Sequence, residues 1–107
     1  MTTLSARFRQ TPSERRRYLL DYTLDLASGE TITGMATPVI YPDANNPQIV
    51  VAPLVIDTIA IAPGGLQVAF FCSGGDDLGV YQVQFLATTS IGQIREDVVE
   101  FDIQGDL

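Results

Sequence analysis

Histidine and lysine do not occur in these 107 residues, and cysteine occurs once, as Cys72. Without histidine the chain lacks the usual general base near neutral pH. Without lysine it has no Schiff-base or P-loop chemistry, and all six basic residues are arginine. A single cysteine excludes an internal disulfide, and no zinc-ligand cluster can be assembled. The expected cofactor complement is none, and the chain does not read as an enzyme. No uninterrupted apolar run of export-signal length opens the sequence. The most lipid-like window, residues 49–72, is cut by Pro53, Asp57, Pro63, Gly64-Gly65 and Gln67, which suits short strands better than a membrane span. A lone thiol fits synthesis in a reducing compartment. What is present suffices for one domain: the length fits a single core, and 46% apolar residues can fill it without staples.

Charge is divided sharply along the chain. Residues 1–17 hold five arginines (Arg7, Arg9, Arg15, Arg16 and Arg17) against Glu14, whereas residues 18–107 hold Arg95 against twelve acids. The acidic body would repel nucleic acid and anionic membrane, so neither is an expected partner. The basic head is the exception. It reads as an irregular N-terminal arm, residues 1–17, ahead of a domain at 18–107. A docking arm is favoured over a solvated tail or a nucleic-acid contact, because arginine pairs well with the carboxylates of a neighbouring acidic body.

From Tyr18 the pattern alternates with period two. Tyr18, Leu20, Tyr22, Leu24 and Leu26 point one way while Asp21, Thr23 and Asp25 point the other, which predicts a half-buried strand over 18–26. Residues 31–40 read as the next strand, with a bulge at Gly34 and an edge or strand end at Pro38. A loop follows at 41–47, dense in Pro, Asn and Asp. Two apolar runs, 49–52 and 54–62, precede a turn at Pro63-Gly64-Gly65. Residues 66–72 are apolar on both faces and predict a central strand. After a Gly-rich turn at 73–79, residues 81–87 and 96–103 alternate again, with Asp97, Val99, Phe101 and Ile103 on one side. No segment has helical spacing. Six or seven strands separated by turns predict an all-β antiparallel sandwich or small barrel.

The candidate chemistry is sparse. Asp76 and Asp77 in the Gly-rich turn offer carboxylates to calcium, but a full site needs six to eight oxygens and a hairpin turn needs the same residues. The turn reading is favoured. Cys72 lies in an apolar strand and reads as a small buried hydrophobe. Ser73-Gly74-Gly75 lacks the strand-to-helix context and histidine partner of a nucleophile elbow. The remaining carboxylates alternate on strand faces expected to meet water, where they serve solubility and guard sheet edges.

The order of several short motifs carries more. Asp21-Tyr22-Thr23-Leu24-Asp25 is followed by Gly29-Glu30-Thr31-Ile32. Then come Ser73-Gly74-Gly75, Tyr81-Gln82-Val83, Thr88-Thr89-Ser90, Gly92 and a final acidic-apolar strand from Glu96 to Ile103. Over residues 18–104 this resembles a family of small bacteriophage virion proteins, described as fibre–tail adaptor or neck-associated proteins with an immunoglobulin-like fold.

The resemblance implies an immunoglobulin-like antiparallel β-sandwich of about seven strands with an irregular N-terminal arm. It implies a mechanical function: an adaptor at the neck or tail that links a fibre or accessory component to the particle. A head decoration protein of the same fold and a carbohydrate-binding sandwich are the alternatives. Partners would be portal, neck, tail or fibre proteins, and the chain would form a symmetric homo-oligomer in the virion after synthesis in the host cytoplasm. The arm would bind through Arg7, Arg9, Arg15, Arg16 and Arg17, and the loops through Tyr41, Asp43, Asn45, Asp76 and Asp77.

Overall fold

Eight strands make up the regular structure of the described residues, 6–42 and 54–105 of a computed structural model. They are β1 (Ala6–Gln10), β2 (Arg15–Asp21), β3 (Ile32–Met35), β4 (Val39–Pro42), β5 (Leu54–Ile61), β6 (Gln67–Gly74), β7 (Val80–Thr89) and β8 (Ile94–Ile103). One sheet runs β1-β8-β7-β3, with β4 also pairing β7, and the other runs β2-β6-β5. No helix among the described residues is long and apolar enough to cross a membrane.

The period-two pattern places one core between the sheets. From the five-stranded sheet, Tyr81, Val83, Phe85 and Ala87 of β7 and Val99, Phe101 and Ile103 of β8 point inward. From the other come Tyr18 and Leu20 of β2 and Val68, Phe70 and Cys72 of β6. Five rings lock the layers together. Phe70 lies 4.8 Å from Phe85, Tyr18 meets Phe101 edge-on at 5.2 Å, and Phe8 of β1 sits 4.5 Å from Tyr18. Such contacts add to the area buried because aromatic edges and faces attract. The expected central strand, 66–72, is β6, flanked on both sides by β2 and β5.

Several expectations change. Within the described residues, 6–17 do not form an irregular arm: Phe8 has a core to fill, so residues 6–10 form β1, and the arginines at 15–17 open β2. The boundary expected at residue 17 therefore falls within a strand. Nor is the architecture purely antiparallel, because β1 runs parallel to β8, with Phe8 opposite Phe101 and Gln10 opposite Ile103.

The strand expected over 18–26 stops at Asp21. There the Asp25 N–H turns back onto the Tyr22 carbonyl at 2.9 Å, and Leu24 is left 98% exposed. Residues 31–40 divide into β3 and β4. The register shift between Ile32 and Gly34 is the bulge expected there, and Pro38 lies in the break. The run at 49–52 lies outside the described residues.

The recurring motifs turn out to be joints. Thr31 N–H donates to Ser90 Oγ at 3.0 Å, and Ser90 N–H returns a bond to the Thr31 carbonyl at 2.8 Å. Glu30 is buried; its Oε1 accepts the Ala27 N–H at 2.8 Å. The Thr89 hydroxyl and that N–H hold its carboxyl below the usual range. At the opposite end Gly75 takes φ 90°, and a Cβ there would meet Ile103 Cγ1 at 3.0 Å and the Tyr81 ring at 3.2 Å. Glycine is required on both counts.

Candidate interface

The strands set two unlike ends. At one end lie the 11–14 turn, the starts of β2 and β7, the 75–79 turn and residues 104–105. At the other lie the loops at 22–31, 62–66 and 90–93. Arg9, Arg15, Arg16, Asp76 and Asp77 all gather at the first end, so residues far apart in sequence are brought together there.

Most of the arginines expected to dock on other subunits are engaged within the chain. Arg7 points outward from β1 and its Nε lies 2.7 Å from Glu100 Oε2, its neighbour in register on β8. Arg9 sits opposite Asp102 and donates to Gln104 Oε1, while Gln104 Nε2 donates to both Asp102 oxygens at 3.3 Å. Arg15 crosses the outer face of the three-stranded sheet. Its guanidinium lies 3.9 Å from the centre of the Phe71 ring and donates to Asp57 Oδ1 at 2.7 Å. That bond, with one from Thr58, holds the Asp57 carboxyl below its usual range. Arg16 is left 6.0 Å from the Tyr18 ring, and Arg17 is exposed. Among the described residues neither has a carboxylate partner.

The loop residues divide similarly. Tyr41 is not in a loop but on β4, opposite Gln82 and half exposed. Asp43 and Asn45 lie outside the described residues. The Asp76 N–H donates to the Tyr81 hydroxyl at 2.9 Å, and its carbonyl accepts the Gly79 N–H at 2.9 Å. Asp77 Oδ1 accepts the Gly105 N–H. Both aspartates thus shape the turn. Among the described residues no group of three or more cysteine, aspartate or glutamate side chains is placed to hold a metal ion.

Gln10 is a residue that sequence reasoning missed. Only 2% exposed, it joins three strands: Tyr18 Oη donates to its Oε1 at 2.7 Å, and its Nε2 donates to the Cys72 carbonyl at 3.0 Å and the Glu14 carbonyl at 3.3 Å. Nothing in its local sequence marks it, since a glutamine before a turn is ordinarily solvated. At the opposite end the loops carry Leu24, Leu66 and Ile91, and β8 opens on Ile94, all exposed. Arg95 approaches Asp25 at 3.9 Å beside them. The second end thus exposes several large apolar side chains around one ion pair, whereas the first gathers charged side chains around the exposed Leu78.

Two ends of unlike chemistry suit a part that joins two others. The comparisons with known proteins agree. The model of the family Gp77, described as "Podophage GP4 fiber-tail adaptor protein gp77", matches residues 10–103. No curated protein matches the chain. With nearly its whole length covered by that family model, the chain belongs to the podophage fiber-tail adaptor family, structural virion components rather than enzymes.

Proposed function

We propose that this adaptor is a rigid immunoglobulin-like β-sandwich spacer that holds a different virion partner at each end. The chemical contrast between the ends carries the reading. The guanidiniums of Arg9 and Arg16 with the carboxylates of Asp76 and Asp77 suit a hydrated, charged partner surface, and Arg17 and Tyr41 extend that surface along the sheet faces. Leu24, Ile91 and Ile94 suit an apolar one, since large apolar side chains gathered at one end of a soluble domain mark contact sites. A sandwich favours this division because its loops collect at two opposite ends. Symmetrically arranged copies would multiply weak contacts into lasting attachment. Folding in the host cytoplasm, where Cys72 stays a thiol, would precede assembly.

The test is assembly of particles with two variants, Arg9→Glu/Arg16→Glu and Leu24→Asp/Ile91→Asp. Fibre and tail proteins are then quantified by mass spectrometry of purified particles. Each variant is expected to lose a different partner while the isolated chain keeps its circular dichroism spectrum. Loss of the same partner from both variants would overturn the two-ended reading.

A further inference from the structure

Strand β2 forms one edge of the three-stranded sheet. It bonds to β6, and among the described residues no strand joins its other side. The backbone shows which residues face that open side. The Tyr22 N–H reaches the Leu66 carbonyl at 2.9 Å, continuing the register that pairs Leu20 with Val68 and Tyr18 with Phe70. In an antiparallel ladder, residues bonded to one neighbour alternate with residues whose N–H and C=O point the opposite way. Arg15, Arg17, Leu19 and Asp21 therefore offer their backbone groups to the open edge. Their side chains also share the outer face, while Tyr18 and Leu20 fill the core.

Along that edge the strand reads cation, leucine, anion. Arg17 is exposed with no carboxylate partner among the described residues, and Leu19 is 46% exposed. Asp21 is exposed, and its Oδ1 accepts the Thr23 hydroxyl at 2.6 Å and the Thr23 N–H at 3.0 Å, bonds that favour the carboxylate form. Reversed, this order complements itself.

We propose that β2 pairs antiparallel with β2 of a second copy across a two-fold axis at Leu19, so that Arg17 of each copy faces Asp21 of the other. The pair would fuse the two three-stranded sheets into one and create an isologous interface. Each Leu19 would cover its counterpart, and Tyr18 would lie opposite Leu20 on the inner face. A shift of the axis to Tyr18 would place Arg15 opposite Asp21, but Arg15 is already held by Asp57 and Phe71. A shift toward the strand's start sets arginine against arginine, which costs free energy. The basic residues thus deter most strands from this edge and admit one register of its own copy. The inference rests on the symmetric-copies part of the function proposed above, and association of the purified chain is read separately from its binding to fibre or tail.

Sedimentation equilibrium of the purified full chain should show a dimer. Arg17→Asp and Asp21→Arg should each weaken association at least about tenfold, because each removes two ion pairs and sets up two like-charge contacts. The double variant, Arg17→Asp with Asp21→Arg, should restore it. Leu19→Cys should yield a disulfide-linked dimer on mild oxidation, leaving the buried Cys72 reduced. All three positions are exposed, and circular dichroism verifies that each variant is folded. A wild-type monomer at every concentration, a dimer indifferent to Arg17→Asp, or failure of the swap to rescue would overturn the proposal. A dimer that forms as expected in a chain that binds neither virion partner would count against the adaptor mechanism instead.

Discussion

Arg15 shows what one side chain does on an open sheet face. Its planar head stacks on Phe71 and reaches Asp57 two strands away, so it bridges β2, β6 and β5 from outside the core. Lysine would not replace it, because stacking and directed donation both depend on the guanidinium plane. Beneath that face, Cys72 is fully buried, and burial pushes its thiol up to about 12. The thiolate is the reactive form. Alkylation of the native chain near neutral pH should therefore be slow and follow global unfolding, as measured by the iodoacetamide reaction rate with and without denaturant. Rapid native labelling would contradict the packing. The inert role was legible from the sequence, since an apolar strand without a neighbouring base leaves a cysteine little else to do. The function of Gln10 was not, because the carbonyls it satisfies belong to residues 14 and 72.

Among the elements, β1 is where pattern and structure diverge most. Its alternation is real: Ala6, Phe8 and Gln10 turn inward while Arg7 and Arg9 face water. It went unread because a glutamine occupies the third inward position and because two arginines within five residues resemble a solvated head. Its pairing is also non-local, joining residue 6 to residue 99, so no short window reveals it. Strands β7 and β8 were legible for the opposite reason, since β7 buries one face along its ten residues and β8 buries Val99, Phe101 and Ile103 in alternation. Leu24 fell on an inward position by phase alone, and the strand ends before reaching it.

Phe8 touches Tyr18 and Phe101 at 4.5 and 5.8 Å, from opposite sheets, and so closes the seam between them. Phe8→Ala should cost about 2–4 kcal/mol, near the lower part of the range for buried aromatics because Phe8 is only partly covered. Urea denaturation measures the loss. A change below about 0.5 kcal/mol, typical of an exposed site, would show that β1 is dispensable to the fold.

At the scale of the whole molecule, the missing residue types return as a property of stability. With no histidine or lysine, no side chain titrates between the carboxylates and the thiol. Below that interval three groups act together. Thr23 holds Asp21 below the usual range, Thr89 and Ala27 do the same for Glu30, and Arg15 and Thr58 for Asp57. A depressed carboxyl contributes stability that is complete above its unfolded value and lost as pH falls through the folded one. Above the interval the order reverses. Burial raises Cys72 and Tyr18, and burial with the nearby Asp97 charge raises Tyr22, so the folded chain keeps protons that the unfolded chain releases. Unfolding is then favoured as pH climbs past the unfolded thiol and phenol values, about 8.5 and 10. Stability measured by urea denaturation from pH 3 to pH 11 should form a plateau from about pH 6 to about pH 8, with a falling limb on each side. Asp57→Asn should flatten chiefly the acid limb, since its charge is only the lesser cause of the raised Cys72, and Tyr22→Phe should flatten the alkaline one. A maximum within the plateau interval, where the sequence holds no titrating side chain, would mean that the burial and hydrogen bonding described for these residues do not govern its stability.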